Sequence, residues 1–142
     1  MSNLVCVADT DALIALNLEN DVHHNKAKII SAHLLAKGVT IIFPITVFPE
    51  TITFLKRAAN QPKKAHDINK KLQAGAFTVE YIDGKILNLA TKYFDQADSK
   101  KNTFFDALVA ATAERLKADA IFSFDTWYKK LGFTLVEDFL IV

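Results

Sequence analysis

Leu4-Val5-Cys6-Val7-Ala8-Asp9-Thr10-Asp11-Ala12-Leu13-Ile14-Ala15-Leu16 is the stretch that decides the fold. Its first five residues form an unbroken apolar run rich in Val, long enough for one buried strand. Asp9-Thr10 turns the chain, and Ala12 to Leu18 continues as a short helix that Asn20-Asp21 breaks. The same alternation of short apolar runs and longer helix-period stretches repeats downstream. It predicts an α/β class with a small, mainly parallel sheet flanked by helices.

Moving outward, a helix is expected from about Asn25 to Ala36, with Ala27, Ile30, Leu34 and Leu35 on one stripe and Gly38 ending it. Val39 to Phe43 is the next strand. Ile45 to Ala59 follows, with Pro49 best placed in a first helical turn, where its missing N–H costs little. Pro62 to Leu72 reads as a lysine-rich helix and Phe77 to Ile82 as a strand. Asp83 is placed to cap a helix reaching Phe94. After a polar loop from Asp95 to Asn102 comes an alanine-rich helix, Thr103 to Lys117, suited to tight packing on a sheet. Ala120 to Phe124 is a strand, Asp125 to Leu131 a turn or short helix, and Phe133 to Val136 a last short strand. No repeat, linker or low-complexity tract interrupts the series, so a single domain over residues 1–142 is expected.

Composition narrows the class further. The chain is 51% hydrophobic over 142 residues, enough for one full core and too short for two comfortable ones. Its formal charge of +1 announces no polyanionic partner, although distribution counts for more than the sum. Cys6 is the single cysteine, which excludes an intrachain disulfide and a thiolate zinc site. There is neither a signal-peptide pattern nor an apolar run approaching the ~20 residues a membrane span needs. A soluble, cytoplasmic protein is the expectation.

Four acidic residues stand out against that background. Asp9 and Asp125 close apolar strands, and ligands of open α/β sheets bind at the carboxyl ends of strands. Either Asp also reads as a helix N-cap. Asp106 lies in the apolar stretch Phe104-Phe105-Asp106-Ala107-Leu108-Val109-Ala110-Ala111, where a helix dipole contributes only ~0.3–1 kcal/mol. Burial without a partner would cost several kcal/mol. Glu50, in Phe48-Pro49-Glu50-Thr51-Ile52, is either of the same kind or a first-turn acid facing solvent. Two carboxylates ~5 Å apart repel by about 3 kcal/mol at an effective dielectric of about 20. A cluster of four must take up protons or a cation. Oxygen-only ligands favour Mg²⁺ or Mn²⁺ over zinc, and such ions serve phosphoryl chemistry.

At these residues the chain resembles the PIN-domain ribonucleases, and among them the VapC-type toxins of toxin–antitoxin pairs. The matching segments are Val7 to Leu16, Pro44 to Leu55 carrying Glu50, Phe105 to Ala113, and Ile121-Phe122-Ser123-Phe124-Asp125. Asp106-Ala107-Leu108-Val109-Ala110-Ala111-Thr112-Ala113 is the most specific of them. The resemblance spans nearly the whole chain and implies a small parallel sheet between helices. It implies Mg²⁺ or Mn²⁺ bound by Asp9, Glu50, Asp106 and Asp125, with Asp9 and Asp106 as the direct ligands, Asp125 binding directly or through water, and Glu50 able to orient a water at the metal. Thr10 and Ser123 would support these ligands by hydrogen bonds. The implied reaction is attack of an activated water on an RNA phosphodiester, leaving a 5′-phosphate and a 3′-hydroxyl. The implied partners are RNA, an antitoxin and a second copy of the chain. Three features depart from the family: Asp11 stands where Asn or Ser is commoner, as a further ligand or a helix cap; Ser123 replaces Thr; and Thr126-Trp127-Tyr128 is atypical.

Lys56, Arg57, Lys63, Lys64, Lys70 and Lys71 gather with only Asp67 among them, as an RNA-guiding face or a solvated one. Lys100 and Lys101, just before Asp106, allow the same two readings. His23, His24, His33 and His66 lack metal-ligand spacing and suit surface or helix-packing roles. Phe54 and Phe77 read as core rather than as base-stacking platforms, and Trp127 and Tyr128 either line a groove or cover a sheet edge, with packing favoured. Two other functions compete with the nuclease. A haloacid-dehalogenase-type phosphatase would use Asp9 and Asp11, but it wants Thr or Val where Leu13 stands and a later lysine with an acidic pair. A non-catalytic PIN module that binds RNA or protein predicts loss of one or more of the four acids, and all are present.

Overall fold

The computed structural model describes residues 3–140, so the two residues at each end of the expected 1–142 domain lie outside the described residues. Four strands form one parallel sheet in the order β3-β2-β1-β4: β1 Val5–Ala8, β2 Thr40–Pro44, β3 Thr78–Glu80 and β4 Ala120–Phe122. The helices are α1 Thr10–Asn17, α2 His24–Ala36, α3 Val47–Thr53, α4 Pro62–Gln73, α5 Gly84–Phe94, α6 Phe104–Arg115, α7 Trp127–Lys130 and α8 Val136–Phe139. This is a single α/β domain with a parallel sheet flanked by helices. Among the described residues no helix is long and apolar enough to cross a membrane.

Burial is deepest in the two strands of the β1–β4 pairing. Cys6, Val7 and Ala8 of the inner strand β1 are buried, and so is all of β4, which ends the sheet but is flanked by the bridge of Ile121 to Leu135. Successive strands run outward from β1 to β2 to β3, and the chain then returns to place β4 on the other side of β1. The direction of winding therefore reverses between β1 and β4. At their carboxyl ends the loops part and leave a crevice.

Alanines determine how closely the helices lie. Ala107 to Ala113 of α6 are buried without exception, which lets this helix sit against β1 and β2 on one side and α5 on the other. Asp83 caps α5 as expected, its Oδ1 accepting from the Ile86 N–H at 2.9 Å. Gly38 and Gly75 end α2 and α4 with φ of 71° and 77°, a region open to glycine without steric cost.

Two expectations need correction. The strand from Phe133 to Val136 reduces to a single bridge of Leu135 to Ile121, because Val136 already starts α8. The strand expected from Ala120 to Phe124 stops at Phe122, since the Ser123 side chain and the Phe124 N–H turn instead to Asp11. In the segment after Pro44, α3 holds Pro49 in its first turn, as expected, and Phe54–Ala58 continues it as a π-helical turn. Asn60, at φ 53°, redirects the chain into α4.

Candidate active site

Asp9 follows the last residue of β1, still extended at φ −89° and ψ 167°, and is the N-cap of α1. Its Oδ1 accepts from the Thr10 N–H at 2.6 Å, and its Oδ2 from the Tyr128 hydroxyl at 2.6 Å. Only 4% of the residue is exposed. Asp9 is thus both a helix cap and a buried acid, two readings that the sequence sets against each other.

Of the other acids, Asp11 comes from the same segment and Glu50, Asp106 and Asp125 from three further ones. Asp11, in the first turn of α1, turns toward β4: its Oδ2 accepts from the Ser123 hydroxyl at 2.9 Å and from the Phe124 N–H at 2.8 Å. Its Oδ1 is buried without a hydrogen-bond partner. Glu50 on α3 is half-buried and accepts from the Thr10 hydroxyl at 2.5 Å, so it does not simply face solvent. Asp106 closes a capping box at the start of α6, accepting from the Thr103 N–H at 2.9 Å. Phe105 beside it is 44% exposed and Asp106 itself half-buried, so the stretch is less enclosed than its composition suggests. Asp125 accepts from the Trp127 N–H at 3.0 Å and from the side chain of buried Asn102 at 2.8 Å.

All five carboxylates line one cleft of about 380 Å³ at the point where the winding reverses. Burial raises the Asp9 carboxyl well above its ordinary value, and the charges of Asp11 and Asp106 add to it; the bonds from Tyr128 and Thr10 act the other way. Asp11, Glu50 and Asp106 are raised too, each chiefly by burial, with Asp125 acting on Asp11 and Asp106, and Asp106 and Asp11 acting on Glu50. These mutual repulsions are what a shared cation would relieve.

Among the described residues, no three carboxylate, imidazole or thiol groups already converge as a ready-made coordination shell. The charges repel, and each carboxylate is held in place by a protein donor. In kind, however, the set suits a hard divalent cation: the acids offer oxygen only, and Asp11 Oδ1 is a buried oxygen with no donor of its own. The fit is one of donor chemistry.

Of the cations singled out in the sequence, Lys101 lines the cleft and the others do not. Lys100 borders a neighbouring hollow with Phe94 and Phe104. Lys56 and Arg57 are exposed on the π-helical turn, Lys63 pairs with Asp67 at 2.9 Å, and Lys64 stands 3.9 Å from Glu19. Three participants escaped the sequence reading. Tyr128, for which the sequence favours packing over lining a groove, has its hydroxyl on Asp9. Asn102 looked like the end of a polar loop. His23 lies on the cleft wall, stacked on Phe124 with ring centroids 4.2 Å apart. Asp11, by contrast, carries a sequence signal, as an unexpected acid two residues after Asp9.

Solved structures share this fold at low sequence identity. A Mycobacterium tuberculosis toxin, VapC20, described as cleaving the sarcin–ricin loop, aligns with a TM-score of 0.76 and 21% identity over 92% of this chain and 96% of that one. VapBC-1 from nontypeable Haemophilus influenzae aligns at 0.66 and 16% identity, over 93% and 96%. A toxin–antitoxin complex from Klebsiella pneumoniae aligns at 0.59 and 18% identity, over 85% and 87%. Curated protein sequences provide no match. The model of the PIN domain family matches residues 6–134, and the chain therefore belongs to the PIN domain family.

Proposed function

We propose that this chain is a Mg²⁺- or Mn²⁺-dependent endoribonuclease and the toxin of a toxin–antitoxin pair. One observation carries the reading: five carboxylates from four separate segments meet in a single cleft at the switch point of the sheet. Membership of the PIN domain family supports it, as does the shared fold of toxins solved alone and with antitoxins. The partners in this reading are RNA, an antitoxin protein and a second copy of the chain, in the cytoplasm.

Asp9 and Asp106 would hold the cation, with Asp125 and the free oxygen of Asp11 beside them. When bound, the cation neutralises charge developing on the phosphate and makes water nucleophilic at neutral pH. The chain's own residues perform the remaining tasks. Glu50, raised by burial and fixed by Thr10, is placed to accept the proton that the attacking water loses. Water oxygen bonds to phosphorus, the bond from phosphorus to O3′ breaks, and O3′ takes up a proton, leaving a 5′-phosphate and a 3′-hydroxyl. Lys101 supplies positive charge at an otherwise acidic mouth, which a polyanion needs in order to approach. Ser123 holds Asp11 in place, and through it the approach of α1 to β4.

The test is cleavage of total cellular RNA by purified protein with Mn²⁺, with Asp9→Asn prepared in parallel. Cutting by wild type alone, stopped by chelator, is the expected result. If neither protein cuts across a broad panel of RNAs, the chain is a non-catalytic PIN module. Equal cutting by both removes the acidic cleft from the reaction.

A further inference from the structure

The Tyr128 hydroxyl is the one polar group on an otherwise apolar, fully buried side chain, and a phenol is buried only where its O–H finds a partner. It donates to Asp9 Oδ2 at 2.6 Å, and the backbone carbonyl of Asp106 lies 3.5 Å away, at the limit of hydrogen bonding. With a single proton to give, it commits to Asp9. Its oxygen thus stands between the carboxylate that ends β1 and the first turn of the helix that carries Asp106. The ring is tilted against Trp127 with centroids 5.4 Å apart, and α7 is anchored in turn by Asp125, which accepts from the Trp127 N–H. Phe would fill the same space; only Tyr holds Asp9.

We infer that Tyr128 is a positioning residue of the acidic site, its hydroxyl holding the Asp9 carboxylate in the orientation in which it receives a divalent cation. The inference rests on the metal-dependent reading above. A hydrogen-bonding group behind a metal ligand typically matters by about 10- to 100-fold in affinity or activity when it is removed. Tyr128→Phe conserves volume, so a purely structural hydroxyl and a positioning one part ways in what is lost. The structural role lowers the melting temperature and leaves the metal affinity of the folded protein unchanged. The positioning role weakens the metal.

The experiment is Mn²⁺ binding followed by electron paramagnetic resonance, with wild type, Tyr128→Phe and Asp9→Asn, alongside thermal melts in chelator. Expected is a loss of about tenfold or more in Mn²⁺ affinity for Tyr128→Phe, with little or no binding for Asp9→Asn. Equal affinity of wild type and Tyr128→Phe, with Asp9→Asn still deficient, overturns the role of Tyr128 and spares the metal site. Absence of Mn²⁺ binding by wild type overturns both. Should Tyr128→Phe not fold, wild type alone decides. With ¹³Cζ-labelled tyrosine, the Tyr128 resonance is expected to move on adding Mg²⁺ while those of Tyr81 and Tyr93 stay. A Tyr128 resonance that does not respond overturns the inference.

Discussion

Asp106 serves the fold and the site through different demands on one carboxylate. The capping box needs an acceptor for the Thr103 N–H, whereas a cation needs charge. Asparagine keeps the acceptor and loses the charge. Asp106→Asn is therefore expected to abolish RNA cleavage while its melting temperature in chelator at neutral pH stays level or rises, since one repelling charge is gone. Unfolding of the variant would instead assign Asp106 to the fold. Thr10→Val separates roles in the same manner at Glu50. It removes the hydroxyl that Glu50 accepts from, at nearly constant volume, and water can replace that bond on a half-buried carboxylate. Stability should change little, while turnover falls about tenfold, the equivalent of about 1.5 kcal/mol for a bond to a charged group. Single-turnover cleavage rates decide this, and an unchanged rate would free Glu50 from dependence on Thr10. At this scale the sequence disclosed the acids, because charge at the edge of an apolar run has a cost that is visible without coordinates. It did not disclose Tyr128 or Asn102. Their hydroxyl and amide have value only through the partners that folding brings to them, across 119 and 23 residues of chain.

Helix α6 shows what an element contributes beyond its residues. Ala110 and Ala111 are completely buried between sheet and α5, and their small size sets how near the first turn, with Asp106, comes to the end of β1. Ala111→Leu should therefore cost about 1–3 kcal/mol by overpacking, measured by urea unfolding. Phe105→Ala, on the exposed side of the same helix, should lie within about 0.5 kcal/mol of wild type. Equal effects of the two changes would contradict the close approach. Elements of this kind were readable beforehand, since apolar periodicity and capping residues such as Asp83 are local signals. The failures also were local in origin but tertiary in cause. Phe133 to Val136 has strand composition, yet only Leu135 reaches Ile121, and the chain winds into α8. Ser123 and Phe124 continue an apolar strand in sequence but are drawn off by Asp11.

Across the molecule, the acidic cleft is expected to reverse the usual dependence of stability on acid. Asp9, Asp11, Glu50 and Asp106 are all raised above their ordinary values of 3.8 for Asp and 4.5 for Glu, first by burial. A carboxyl whose folded value exceeds its unfolded one binds more protons in the folded state across the interval between them. Its stabilising contribution is complete below the unfolded value and disappears as pH rises through the folded one. Metal-free protein should therefore melt higher at about pH 5 than at about pH 7.5. Asp67 and Asp83, lowered by Lys63 and by the Ile86 N–H respectively, act in the opposite sense, but only as pH falls below their ordinary value, outside that window. A divalent cation competes with these protons and binds best where the carboxylates are ionised. Saturating Mg²⁺ should thus flatten or invert the slope by stabilising the neutral end most. Melting curves at both pH values, in chelator and in Mg²⁺, test the whole scheme. A melting temperature that falls on acidification in chelator, with no response to Mg²⁺ at neutral pH, would mean that the five acids are already neutralised by their protein donors and that the cleft is no cation site.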